Sequence, residues 1–226
     1  MPLYSQIADR ETYLNSIKSE LAKQWPENKT VNLVFHGHSV PSGYFKTPDV
    51  RTLQSYPHQV LETVKEEYPY AVINVTVTAI GGENAEQGAA RFRREVLTHR
   101  PDVLFIDYAL NDRETGLVRA RIAWEKMIEE ALNDSIKIIL LTPTPDTAVN
   151  ILDENSSLAQ HSRQIYELAE KYHIGLVDSY AAFRKKKING EDIAEYMSQI
   201  NHPNEKGHSI VRDLIIRWLI NDNGDI

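Results

Sequence analysis

Hydrophobic positions alternate between two rhythms along the chain. Short, β-branched-rich runs occur at Val31–Phe35, Val72–Ile80, Asp102–Leu110, Lys137–Thr142 and Gly175–Tyr180, and three of them are almost wholly apolar. Such runs suit strands buried on both faces of a parallel sheet. Between them apolar residues recur every three or four positions: Leu14, Ile17 and Leu21; Val60, Leu61, Val64 and Tyr68; Ala85, Ala89, Phe92 and Val96. The pattern continues through Leu117, Ala120, Trp124, Met127 and Ala131, then Leu158, Ile165, Leu168 and Tyr172. Its clearest case is the stripe Val211, Leu214, Ile215, Trp218 and Leu219. These are amphipathic helices. Strand and helix in strict alternation predict an α/β fold of three layers, α/β/α, with helices on both faces of a mainly parallel five-stranded sheet. No repeat or linker divides the chain, so residues 1–226 are expected to form one domain.

Composition narrows the partners more than the fold. The net charge is -7, and the one basic run, Arg184–Lys187, stands alone beside acidic neighbours, so a nucleic-acid partner is not expected. There is no cysteine, which removes disulfides, thiolate metal sites and cysteine nucleophiles together. The N-terminal stretch Met1–Leu21 has early acidic residues and no unbroken apolar core, and no segment reaches the roughly 20 apolar residues that span a bilayer. A cytoplasmic protein without a membrane partner is the expectation; export of a processed form and any oligomeric state stay open. No Gly-x-Gly-x-x-Gly or P-loop pattern follows the first strand, so no cofactor is expected.

The candidate chemistry sits where the predicted strands end, on the rim where open α/β sheets bind ligands. The first strand runs into "FHGHSV", which ends in Ser39 and Val40. The second runs into "IGGEN" with Gly82, the third into "LND" with Asn111, and "NHPNEKGH" puts His202 just before the last helix. A hydroxyl, an unobstructed backbone amide, an amide side chain and an imidazole are the parts acyl transfer requires: a nucleophile with a base beside it, and donors for an oxyanion. In this order the four blocks resemble those of the SGNH hydrolases, or GDSL esterases/lipases, over nearly the whole chain from Val31 to Trp218. That resemblance implies a flavodoxin-like SGNH hydrolase fold. It also implies Ser39 as nucleophile, His202 as base, and an oxyanion hole of the Ser39 and Gly82 amides with the Asn111 side chain. A cofactor-free carboxylic ester hydrolase acting on a small-molecule ester follows, with O-acetylated carbohydrate suggested by the same resemblance.

Two positions depart from the family pattern. His38 stands where the family has Asp before the nucleophile. Gln199 stands three residues before His202, where the family has the acid that fixes the imidazole tautomer; its side-chain carbonyl could accept a hydrogen bond and orient the ring, but offers no charge. Three readings follow. A backbone carbonyl near Gln199 orients His202 and leaves a Ser–His dyad; a carboxylate elsewhere, Asp178 or Asp192, replaces the missing one; or the protein is an impaired pseudo-hydrolase that only binds its ligand. Asp178 also reads as the N-cap of the helix after the fifth strand, Asp112 as the cap that leaves Asn111 free, and His208 as a packing residue. His36, His38 and His202 could together form a three-histidine metal site, but no acidic ligand has the matching spacing, and no metal is expected.

Overall fold

The structure, a computed structural model, describes residues 6–221; the first five residues of the N-terminal stretch considered above lie outside them. In chain order the elements are α1 (Asn15–Leu21), β1 (Thr30–Gly37), α2 (Ser39–Ser42), α3 (Tyr56–Glu67), β2 (Val72–Val77), α4 (Ala85–Glu95), β3 (Val103–Asp107), α5 (Leu117–Asn133), β4 (Lys137–Leu141), α6 (Ser157–Tyr172), β5 (Gly175–Val177), α7 (Ser179–Ile188), β6 (Met197–Gln199), β7 (His202–Pro203) and α8 (Glu205–Leu219). Strands β1 to β5 form one parallel sheet in the order β2-β1-β3-β4-β5, and β6 pairs with β7 in a separate antiparallel ribbon. The order reverses at β1, so the first crossover leads to one side and the later ones to the other. The gap beyond the carboxyl ends of β1 and β3 is the switch point where such sheets open a ligand crevice.

Alternation along the strands assigns each residue to a layer. Val31, Leu33 and Phe35 of β1 join Val103 and Phe105 of β3 in a core closed by α1, α3 and α8. Val34, Leu104 and Ile106 point the other way, into a core closed by α4, α5 and α6. Phe35 and Phe105 are register partners, and their rings stack with centroids 4.4 Å apart. Both faces of β3 are buried, which is why its sequence shows no polar alternation. Among the described residues no helix is long and apolar enough to cross a membrane.

The first strand, Thr30–Gly37, is longer than its apolar run, and the others are shorter. The second ends at Val77 rather than Ile80, although Thr78 and Ile80 still donate backbone hydrogen bonds to Phe35 and Gly37. The third ends at Asp107 rather than Leu110, and the fifth at Val177 rather than Tyr180. There Asp178 caps α7, its carboxylate accepting from the Ala181 amide at 3.0 Å. The third run continues into buried loop at Tyr108–Leu110, the second into a half-exposed loop, and the fifth into α7, distinctions that hydrophobicity alone does not carry.

Candidate active site

Four chain segments meet at the switch point. Strand β1 delivers Ser39 as the first residue of α2, a single turn in which Gly43 takes the left-handed conformation at the C-cap (φ 86°). The loop after β2 delivers Gly82, also left-handed (φ 82°), where a side chain would have open space but a strained backbone. The loop after β3 delivers Asn111, and the β6–β7 ribbon delivers His202. Ser39, Gly82, Asn111 and His202 line one cleft of ≈ 340 Å³ together with Tyr44, Thr47, Gln199 and Asn201. A second hollow of ≈ 630 Å³ shares Gly82, Asn111 and Asn201 and extends past Asn84, Arg113 and Glu114.

Ser39 Oγ lies 2.9 Å from His202 Nε2, and His202 Nδ1 lies 3.1 Å from the backbone carbonyl of Phe45. A carbonyl oxygen only accepts, so Nδ1 carries the ring proton. Nε2 is then left as the acceptor of the serine hydroxyl's proton. The tautomer a general base needs is therefore set by main chain. Phe45 is itself immobilised: its amide donates to the Asp49 carbonyl at 3.0 Å, its ring stacks on His208 at 5.1 Å, and the Arg51 guanidinium covers it. The His202 imidazole, 6% exposed, is held below its usual pKa, chiefly by burial. The Phe45 carbonyl opposes that depression.

Gln199 does not orient the histidine. Its Oε1 accepts from the Thr47 amide at 3.0 Å and its Nε2 donates to Asn201 Oδ1 at 3.4 Å, so it fastens the loop that carries Phe45. Neither proposed carboxylate reaches His202. Asp178 accepts from Thr142 Oγ1 at 2.9 Å and from its own helix, and Asp192 caps the 3-10 turn Ile193–Tyr196. The backbone carbonyl that faces His202 Nδ1 belongs to Phe45 and not to a residue near Gln199. The idea of an impaired enzyme rested on Gln199, and with the tautomer fixed elsewhere it loses that physical basis.

Asn111 Nδ2 donates to the Glu83 carbonyl at 2.8 Å, which leaves the second hydrogen of that amide for a ligand. Asp112 is not a cap for α5. It is buried, with its carboxylate accepting from the Ala85 amide and Trp124 Nε1, both at 2.7 Å, and burial raises its pKa to about 6. The loop bearing Gly82 is braced by Glu83, which pairs with Arg91 at 2.6 Å and accepts from Tyr108 Oη at 3.2 Å. His36 does not converge with His38 and His202. His36 faces the other layer, with Nδ1 on Thr78 Oγ1 at 3.0 Å and Nε2 on Tyr108 Oη at 3.2 Å.

A three-layer α/β/α sandwich with a serine–histidine pair at its switch point defines a class of acyl-transfer folds, and the comparisons narrow it. The profile of the GDSL-like Lipase/Acylhydrolase family matches residues 35–210, and the chain belongs to that family. No curated protein sequence matches significantly. Among solved structures, a two-domain esterase active on acetylated mannans superposes with a TM-score of 0.74 at 20% identity, covering 95% of this chain and 54% of that one. This chain thus spans about half of that protein. Axe2, an acetylxylan esterase from Geobacillus stearothermophilus, gives 0.73 at 22% identity over 84% of this chain and 94% of its own. Its serine-to-alanine and histidine-to-alanine variants are each described as catalytic mutants. At these identities the likeness is one of fold.

Proposed function

We propose that the protein is a serine esterase that removes small acyl groups, acetyl foremost, from hydroxyls of a carbohydrate. The observation that carries this reading is the Ser39–His202 contact, with His202 already in the base tautomer. In the reaction Ser39 Oγ attacks the ester carbonyl as its proton passes to His202 Nε2. The carbonyl oxygen becomes an oxyanion facing the Ser39 and Gly82 amides and the remaining Asn111 hydrogen. The Ser39 amide, at the first position of its turn, has no intrahelical acceptor. The tetrahedral centre collapses, the alcohol leaves with the proton from His202, and an acyl-Ser39 ester remains. Water then repeats the sequence: His202 takes its proton, hydroxide oxygen adds to the acyl carbon, and the acid departs as Ser39 regains its proton.

The alcohol side of the cleft is polar. Tyr44, Asn84, Asn201, Arg113 and Glu114 offer hydrogen-bonding groups rather than an apolar trough. Arg113 is pinned by Asp146 at 2.9 Å and by the Leu110 carbonyl at 2.8 Å. A polyhydroxylated alcohol fits such a surface better than a long acyl chain, and the two solved relatives are described as acting on acetylated mannan and acetylated xylan. The test is hydrolysis of p-nitrophenyl acetate and of acetylated xylo- and manno-oligosaccharides by the native protein and by Ser39→Ala. Turnover that vanishes with the hydroxyl and favours acetyl over octanoyl esters is expected. Equal rates for the two forms would reject Ser39 as nucleophile.

A further inference from the structure

Beneath the nucleophile lies a buried pair that the reaction sequence above does not use. His38, 1% exposed, precedes Ser39, and Asp107, 3% exposed, ends β3. His38 Nδ1 accepts from the Val40 amide at 3.2 Å and lies 3.5 Å from Ser39 Oγ. An acceptor of a backbone N–H has no proton of its own, so His38 is the neutral tautomer protonated on Nε2. That Nε2 faces Asp107 Oδ1 at 3.4 Å, within ion-pair range but poorly aligned, and neither atom has a hydrogen-bonding partner among the described residues. The other carboxylate oxygen accepts from Tyr56 Oη at 3.0 Å. Tyr56 in turn donates its amide to His208 Nδ1 at 3.2 Å, and His208 stacks on Phe45, whose carbonyl holds His202. Contacts therefore run unbroken from one member of the dyad, through Asp107, to the other.

We propose that Asp107 is the acidic positioning residue of this site, acting through His38 on the serine side of the dyad rather than on His202 itself. The inference rests on the Ser39–His202 reading. With His38 in the neutral tautomer, a carboxylate at Asp107 places negative charge in a buried position on the Ser39 side of the dyad, 3.4 Å from His38 Nε2. It thereby supplies the field that Gln199, being uncharged, does not. No proton passes between Asp107 and His38. The imidazole conveys orientation: it holds the turn after β1 through the Val40 amide, with its Nδ1 edge 3.5 Å from Ser39 Oγ.

The remaining titratable groups around the two sites are Tyr44 and His208 beside His202, and Tyr56 and Asp112 beside Asp107. His208 stays neutral, since burial pushes it down to about 3, whereas Asp112 titrates near 6 and could imitate an activity limb. The readout must therefore follow His202 directly. The experiment is imidazole 15N NMR titration of His38 and His202 in the native protein and in Asp107→Asn, alongside p-nitrophenyl acetate kinetics from pH 4.5 to 8. In the native protein the neutral form of His38 is expected to carry its proton on Nε2, with Nδ1 bare for the Val40 amide. In Asp107→Asn the His202 pKa and the acid limb of kcat/KM are expected to move down together by roughly one unit, with kcat about tenfold lower and KM within twofold. A His38 protonated on Nδ1, or an unmoved His202 with kcat within twofold, overturns the proposal.

Should Asp107→Asn not fold, His38→Asn keeps an acceptor for the Val40 amide while cutting the link to Asp107. A tenfold fall in kcat at constant KM supports the proposal there, and a change under twofold sinks it. Failure of the esterase reading looks different, because Ser39→Ala then turns over as fast as the native protein.

Discussion

At the scale of single residues, the proposed site differs from a triad in what holds His202, and that difference has measurable consequences. Burial is the main reason His202 sits below its usual value, and a base must be neutral to act. Activity is therefore lost as pH falls through the His202 pKa, and kcat/KM should rise with a midpoint below 6.5 and level off by about pH 7. A pH profile with its midpoint above 6.5 would show that something other than buried His202 is titrating. The second consequence concerns Gln199. Replacing it by aspartate installs the residue type the family pattern expects, yet the Nδ1 proton of His202 is already committed to Phe45 and the Gln199 bond to Thr47 is lost with the shorter side chain. We expect Gln199→Asp to leave kcat unimproved and to cost about 0.5–1.5 kcal/mol of stability. A tenfold gain in kcat would mean that a carboxylate can reach the imidazole from that position.

At the scale of elements, the base depends on a ribbon of five paired or near-paired residues. Strands β6 and β7 pair Met197 with Pro203 and Gln199 with His202, and Ser198 Oγ bonds the carbonyls of both His202 and Pro203. Helix α8 abuts this ribbon at Gly207, where a Cβ would stand 2.3 Å from the Tyr196 carbonyl and 2.7 Å from the Pro203 ring. Gly207→Ala must push helix and ribbon apart, so a loss of about 1–3 kcal/mol and a melting temperature lower by several degrees are expected, together with a reduced kcat. Lower stability with native kcat would show that His202 does not follow the ribbon. Legibility from sequence divides along the same line. The proposed parts of Ser39, Gly82, Asn111 and His202 are legible because each would be played by the residue's own side chain or a glycine's freedom, near the end of a predicted strand or the start of a helix. Phe45 is invisible, since it contributes a carbonyl that every residue possesses. The ribbon is too short and too polar to show a strand period, and the approach of Asp107 to His38 exists only once β1 and β3 lie side by side.

For the whole molecule, stability in acid is set by imidazoles locked inside the layers. His36 and His208 are fully buried and pushed to about 3, and His161, 2% exposed on α6, to about 4, in each case chiefly by burial. In the unfolded chain each titrates near 6.5. Between these values the unfolded state binds protons that the fold refuses, so stability is complete above pH 6.5 and drains away as pH falls toward 3 or 4. At pH 5 the loss is on the order of 2 kcal/mol for each of the three, a large share of a total that is typically about 5–15 kcal/mol. Asp112 acts with the opposite sign: its folded value, about 6, lies above that of a free carboxyl, so protonation between those values favours the fold and offsets roughly 1 kcal/mol. The histidines outweigh it, and urea midpoints should fall steeply from pH 7 to pH 5. His161 is the member to remove, because its Nδ1 has no hydrogen-bonding partner among the described residues, whereas the Nδ1 atoms of His36 and His208 are bonded to Thr78 and Tyr56. In His161→Leu the pH 7-to-5 loss should shrink by about 2 kcal/mol, whatever the substitution does to stability at pH 7. An unchanged slope would mean that His161 is free to take up a proton in the folded state, and that the acid sensitivity of this fold resides in its carboxylates.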